Sequence, residues 1–396
     1  MIFIYELVQT EISHGPFTRA FVQTIAHAFP DEDITIFARA SHLAAVLQAP
    51  DPLLDRRLTK IAYQAPDVPH AAFWRRMAAT FQFLRKTYSP VSALRPQVVF
   101  LSTEPHHIWA VRLFKLLQPA FRCHMVLHGD INSVKNPRSR NPLHRALDYS
   151  SALAKGNKTD LRFIVLENHI RTNLAALMPA AAAVTDVVCH PCMPDHAAWQ
   201  EFDPMPGRMR FGLLGIAGRS KGLDVFSRLA NAARHDLPCR ADFRLIGKVQ
   251  AGNEALDMDG ISGPLPFSPE WLPRDVFDSE IKALHYVVLP YNMEYYGLSA
   301  SGVLQDVLRF RKPVVAFDTP VIRELAERFG DIGHICANEE AMASAVNDLL
   351  LNFDAGRYAR QRQNVDAAYR SRLPDAAAVE YAQIQATCWT PSMQGA

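Results

Sequence analysis

The stretch Met209-Arg210-Phe211-Gly212-Leu213-Leu214-Gly215-Ile216-Ala217-Gly218-Arg219-Ser220-Lys221-Gly222-Leu223 decides the reading of this chain. The apolar run 209–214 has the length and composition of a buried strand. A glycine-rich turn follows, and 223–233 carries a helical period. Such a turn, between the carboxyl end of a strand and a helix N-terminus, offers backbone N–H groups and a positive dipole end to an anion. Lys221 and Arg219 add full charges beside Gly215. A diphosphate fits this chemistry, and so does a plain strand-to-helix turn with solvated cations. The spacing is neither a Walker pattern nor G-x-G-x-x-G, so no P-loop and no dinucleotide fingerprint is read here.

The same alternation extends in both directions. Strands are expected at 2–7, 34–38, 58–63, 97–101, 124–127, 163–166 and 187–189, then at 209–214, 243–246, 286–289 and 313–316. Helical segments between them, at 143–154 and 278–284 among others, make this an α/β chain with parallel sheets. At 396 residues it exceeds one hydrophobic core. The proline-rich stretch 191–207 suits a linker, which predicts an N-terminal domain over 1–197 and a C-terminal domain over 198–375. Residues 376–396 are read as a segment returning to the N-terminal domain. The expected architecture is two doubly wound Rossmann-like domains facing across a cleft, the natural place for a ligand.

Composition narrows the function. The 42 basic and 40 acidic side chains nearly cancel, so no global field draws the chain to nucleic acid. No apolar stretch is long enough to span a bilayer, and the apolar start 1–5 meets Glu6 too soon for a signal peptide, so a cytoplasmic enzyme is expected. The six cysteines are scattered. Cys189-His190-Pro191-Cys192 lacks a second ligand pair and reads as packed thiols rather than a zinc or redox site.

A second constellation is Pro290-Tyr291-Asn292-Met293-Glu294-Tyr295-Tyr296-Gly297-Leu298-Ser299-Ala300-Ser301-Gly302-Val303-Leu304. Glu294 suits hydrogen bonds from sugar hydroxyls, while the N–H groups of Gly297, Leu298 and Ser299 suit a phosphate or sugar ring. A helix capped by Ser299 or Ser301 beside a surface glutamate is the alternative.

Together these residues resemble the GT-B glycosyltransferases of the large retaining group known as family 4. The resemblance rests on Gly215 with Lys221-Gly222, on Glu294 with Tyr296-Gly297-Leu298, and on Arg311-Lys312-Pro313-Val314-Val315-Ala316. It also takes in the turn from Asp318 to Leu325, and it covers 209–335 well and the N-terminal half loosely. It implies transfer of a hexose from a nucleoside-diphosphate sugar to a saccharide or lipid-linked acceptor, with retention of configuration, in polysaccharide biosynthesis. No cofactor and no metal is expected, because side chains and helix ends neutralise the diphosphate. Lys221, Glu294 and His128 are the expected catalytic residues. Two positions depart from the family: Ile216 stands where it has an arginine, and Gly302 where it has a ribose-binding glutamate. Arg219 and Asp306, the latter one helical turn beyond Gly302, are the substitutes on the donor side. An epimerase, an inverting transferase and a non-catalytic glycan- or partner-binding member are the competing readings.

The N-terminal half supplies the acceptor side. Gly15 resembles the glycine of the family loop that approaches the donor phosphates or the acceptor, with a plain left-handed turn as the alternative, and His14 beside it is an acceptor candidate. His128 resembles the family's cleft histidine, with a satisfied turn histidine as the alternative, while Asp130 reads as a base or as an Asx turn. Glu104 with His106 and His107 reads as acceptor recognition or helix capping, since no third ligand has metal spacing. Trp74, Met77, Phe81 and Leu84 share one helical face among Arg75, Arg76, Arg85 and Lys86. That face reads as core with snorkelling cations, or as peripheral contact with the inner face of a membrane, to which Arg138, Arg140, Arg145 and Lys155 would add charge.

Overall fold

The computed structural model of the chain describes residues 1–47, 50–64, 73–128, 131–135, 147–154, 161–195, 208–237, 239–253, 255–263, 272–291 and 296–389. Among them, β1 (Ile2–Glu6), β2 (Ile34–Ala38), β3 (Leu58–Ala62), β4 (Gln97–Phe100), β5 (Cys123–Val126), β6 (Leu161–Val165) and β7 (Thr185–Val187) form one sheet. Its order is β3-β2-β1-β4-β5-β6-β7. A second sheet holds β8 (Met209–Ala217), β9 (Ala241–Val249), β10 (Ile261–Ser262), β11 (Tyr286–Leu289), β12 (Val314–Phe317) and β13 (Gly333–Cys336), in the order β10-β9-β8-β11-β12-β13. Every pairing is parallel.

Parallel neighbours require crossovers, and helices supply them except between β9 and β10, where no described residue is helical. In the first unit these are α1 (Gly15–Ala28), α2 (Ala40–Val46), α3 (Phe73–Thr87), α4 (Pro105–Leu117), α5 (Tyr149–Ala154), α6 (Asn168–Leu177) and α7 (Pro179–Ala182). The second unit has α8 (Leu223–Asp236), α9 (Arg274–Lys282), α10 (Gly302–Arg309), α11 (Pro320–Phe329), α12 (Glu339–Leu351) and α13 (Ala355–Arg370). A last helix, α14 (Pro374–Trp389), returns to the first. With helices on both faces the strands are buried on both sides and read as unbroken apolar runs. The period of two then assigns the faces: Phe3 and Tyr5 pack with Phe37 and Phe100 on one side, Ile2 and Ile4 with Phe21, Ile36 and Val99 on the other. In the second sheet Phe211, Leu213, Phe243, Tyr286 and Val288 share one core.

The first unit comprises Met1–Met193, Gly297–Ala300 and the chain from Arg372 onward; the second comprises Pro194–Tyr296 and Ser301–Ser371. The C-terminal segment is anchored by charge and by packing. Arg372 donates to both carboxylate oxygens of Glu167, at 2.5 and 2.9 Å, and both side chains are buried. Tyr381 of α14 lies against Phe21 of α1, ring centroids 5.8 Å apart, with its hydroxyl 3.3 Å from His124 Nδ1.

Several elements differ from expectation. Strand β8 does not stop at Leu214 but runs on through Ala217, in register with β9 up to Ala217↔Val249. Glycine there suggests a turn, yet Gly215 faces Gly247 in the ladder, where a Cβ would meet Gly215 O at 2.0 Å. The backbones approach too closely for a side chain. The strand expected at 187–189 is Thr185–Val187, the helix expected at 278–284 is Arg274–Lys282, and of 143–154 the described helix is Tyr149–Ala154. Most of 191–207 lies outside the described residues. No helix among the described residues is long and apolar enough to cross a membrane.

The Arg372–Glu167 pair makes a stability prediction. Arg372→Met leaves a buried carboxylate uncompensated and is expected to cost about 3–5 kcal/mol, with part recovered in the Arg372→Met, Glu167→Gln double variant. Urea denaturation measures both; equal stability of wild type and single variant would contradict it.

Candidate functional site

In a doubly wound sheet the crevice forms where strand order reverses, outside the carboxyl ends of the two strands that flank the reversal. In the second sheet those strands are β8 and β11. The loop after β8 is a single 3-10 turn, Arg219–Lys221, closed by Gly222 at φ 71°. A Cβ at Gly222 would meet Pro290 O, the residue after β11, at 2.1 Å, so glycine lets the two loops touch. The turn carries Lys221 back over the strand end: its Nζ lies 3.3 Å from where a Cβ of Gly215 would stand, and Val303 Cγ2, in the first turn of α10, lies equally close to that point. Lys221 Nζ and the first turn of α10 therefore meet over Gly215. Ser301 caps that helix by accepting from Leu304 N at 3.2 Å, and the Tyr291 hydroxyl lies 3.1 Å from its Oγ. Tyr291 in turn stacks on Tyr296, centroids 4.0 Å apart and planes within 10°.

The Lys221 ammonium makes no hydrogen bond and no ion pair with any described residue. Burial lowers its pKa from 10.5 to about 8, against a smaller opposing pull from the Asp306 carboxylate. Asp306 is engaged elsewhere: it accepts from Arg274 Nη2 at 2.6 Å, and Arg274 also pairs with Asp278 at 2.7 Å. Burial raises the Asp306 pKa, with Arg274 opposing. Arg219 is exposed, as is Gly302, with open space beside it. A helix N-terminus, a glycine near the end of β8 and a partly buried cation with no counter-ion among the described residues offer an anion favourable electrostatics.

Gly297, Leu298 and Ser299 belong to the first unit, where Gly297 O accepts from Asn173 Nδ2 at 2.6 Å and Leu298 is buried in the core. Glu294 lies outside the described residues, as do Asp130, Arg138, Arg140, Arg145 and Lys155.

At the first sheet's carboxyl edge, β5 delivers His128 beside His14. His14 Nδ1 and His128 Nε2 are hydrogen-bonded, and the His128 ring stacks on Phe17 at 3.9 Å. His190 stands 5.6 Å from His128. Burial, then the neighbouring imidazoles of His14 and His190, push His128 well below its ordinary pKa, so it is neutral at pH 7. Its Nδ1 is buried and has no hydrogen-bond partner among the described residues. The left-handed residues of this loop are Glu11 and His14, not Gly15, which is buried at the start of α1 against Val46. Glu104 precedes α4, its N–H bonded to His107 Nδ1 at 3.0 Å, while its carboxylate pairs with Arg76 and with His106 Nδ1 at 3.2 Å. Burial raises the Glu104 pKa, but the His106 and Arg76 contacts together outweigh it and leave the group below its ordinary value.

Sequence reasoning missed Glu6. It ends β1 at the reversal point of the first sheet, fully buried, and accepts from Ser102 Oγ at 2.7 Å and from the amides of Val8 and Gln9 at 3.3 Å. Burial pushes it up to about 7 against those hydrogen bonds. A lone acid closing an apolar strand was the available signal.

No family model and no curated protein matches the chain. Solved structures do match in fold. Anabaena HepE bound to UDP-glucose aligns with TM-score 0.62 at 14% identity, over 98% of this chain and 99% of HepE. WaaG, a glycosyltransferase involved in lipopolysaccharide biosynthesis, aligns with TM-score 0.61 at 12% identity, over 97% and 99%. A mutant of S. aureus TarM, in complex with fondaparinux, α-GlcNAc-glycerol and UDP, aligns with TM-score 0.56 at 13% identity. That alignment covers 78% of this chain but 58% of TarM. The fold is that of the GT-B glycosyltransferases.

The Lys221 site has a pH signature. Of the two forms of Lys221 only the ammonium attracts an anion, and binding raises its pKa, so inorganic pyrophosphate should bind most tightly below about pH 8 and more weakly as pH rises through that value, with proton uptake. Calorimetry in buffers of different ionisation enthalpy reads both; unchanged affinity from about pH 7 to about pH 9 would remove Lys221 from the site.

Proposed function

We propose that this chain is a glycosyltransferase that moves a hexose from a nucleoside-diphosphate sugar to a saccharide or lipid-linked acceptor with retention of configuration. The observation that carries the reading is the Lys221 ammonium, held over Gly215 at the N-terminus of α10 and at the reversal point of its sheet, with no counter-ion among the described residues. A leaving diphosphate supplies the missing negative charge, and the charge that grows on it during transfer meets a cation and helix dipole already in place. The UDP and UDP-sugar complexes of HepE and TarM support a uridine donor. Glu294 is the proposed partner of the sugar hydroxyls. Neutral His128, with Nδ1 unpaired among the described residues, is the proposed polar contact from the first unit. Gly15, His14, Glu104 and Asp130 are proposed for the same side, while Gly297, Leu298, Ser299 and Gly302 are proposed to offer backbone N–H groups to the donor. Neither a cofactor nor a metal enters the proposed reaction.

A second reading is a member that binds the nucleotide sugar without turning it over. One observation favours it: Asp306, the carboxylate nearest to replacing the family's ribose-binding glutamate, is engaged by Arg274.

A panel of nucleotide sugars with acceptor mixtures separates the two, since binding without product selects the second. With a productive donor, Lys221→Ala should lower turnover at least a hundredfold, roughly 3 kcal/mol of lost stabilisation, with the fold intact. Unchanged turnover would exclude Lys221 from this role. NMR of the product should show the anomeric configuration of the donor; inversion would place the chain in another branch of the architecture.

A further inference from the structure

Between Phe73 and Arg122 the chain carries eight Lys and Arg and one acidic residue, Glu104, although the whole chain is nearly neutral. The structure accounts for some of this charge. Arg76 pairs with Glu104, Lys115 donates to Phe121 O at 2.7 Å, and Arg112 lies over the Trp109 ring. Arg75, Arg85, Lys86 and Arg95 are exposed and make no ion pair with a described residue.

Helix α4 is apolar on two faces. Ile108, Val111 and Phe114 point into the core, whereas Leu113, Leu116 and Leu117, at helical spacing on the outer face, are 42%, 67% and 59% exposed. A crossover helix normally turns a polar face outward, so a row of three bare leucines asks for a cover. Beside it an open cavity of about 580 Å³ is lined by Arg85, Lys86, Ser89, Phe114 and Leu117 among others, and Leu94 in the 3-10 turn Ser89–Leu94 is 70% exposed. The C-terminal ends of α3 and α4 lead toward the starts of β4 and β5. The patch therefore lies at the N-terminal edge of the first sheet, opposite the carboxyl edge that holds His128 and Glu6.

We propose that this patch is a docking surface for an anionic lipid bilayer, with Leu113, Leu116 and Leu117 entering the interface and Arg85 and Lys86 meeting lipid phosphates. Charge complementarity names the sign of the partner. The aliphatic row names its kind, because a nucleic-acid backbone gives three leucines nothing to enter. This differs from the expectation placed on Trp74 and Phe81. Phe81 packs against the core, and Trp74, although 65% exposed, stands near the other end of α3, about 18 Å along its axis from Lys86. The proposal holds whether or not the chain is a transferase.

Vesicle co-sedimentation of the full chain tests it, comparing phosphatidylglycerol-containing vesicles with pure phosphatidylcholine. Wild type should pellet with the anionic vesicles. The Leu116→Ser, Leu117→Ser variant and the Arg85→Glu, Lys86→Glu variant should each weaken binding roughly tenfold or more, and Trp74→Ala should leave it within about twofold. Binding should fall at about 1 M salt, where the Debye length is about 3 Å. All four positions are exposed, and circular dichroism checks that the variants fold. Equal sedimentation of wild type and both double variants would overturn the proposal. So would loss of binding in Trp74→Ala alone, or binding to duplex DNA or an acidic peptide with none to vesicles.

Discussion

Both sheets are parallel throughout, and that constraint organises everything else. A parallel strand cannot turn back on its neighbour, so each connection is a crossover, and both faces of the sheet are covered. Strand order must then reverse somewhere. At the reversal, β1 beside β4 and β8 beside β11, helices leave on opposite faces and the loops at the carboxyl ends part. Glu6 and Ser102 sit at the first reversal, Lys221 and Ser301 at the second.

What separates these positions from ordinary loop residues is unpaid desolvation. Lys312, another lysine of the second unit, is buried too, but it donates to Lys282 O and Leu284 O at 2.8 and 2.7 Å. Arg274 and Arg311 lie among carboxylates. Lys221 has no such neighbour within contact among the described residues, and its lowered pKa reports the cost. A low-dielectric site that holds a cation apart from its counter-ion gains that cost back when an anion arrives. On the first unit His14 takes Nε2 of His128, and Nδ1 of His128 has no partner among the described residues.

The first unit also separates its chemistry along the strand axis. Titratable groups gather at the carboxyl edge, while the bare leucines of α4 and the exposed cations Arg85 and Lys86 of α3 gather at the opposite one. A bilayer engaging the latter would leave the carboxyl edge of that sheet uncovered.

Much of the fold was legible in the sequence because a strand buried on both faces has to be apolar at every position. The runs 2–5 and Tyr286–Leu289 state that directly. The glycines were legible as places where the backbone does something special, but not as what: Gly215 reads as a turn, and only the opposing Gly247 shows it to be a ladder position. The basic and glycine residues of the 215–222 turn marked a candidate anion site, since charge and helix termini are local properties. The isolation of Lys221, the engagement of Asp306 by Arg274 and the burial of Glu6 were not legible. Each depends on which side chains from distant strands and helices come within a few ångströms, and on how much water they exclude. Hydrophobic periodicity likewise placed Trp74 and Phe81 on one helical face, yet it could not tell that the core takes Phe81 while α4 turns Leu113, Leu116 and Leu117 outward. Pattern is a property of one segment, whereas burial is a property of its neighbours, and only the tertiary structure decides those.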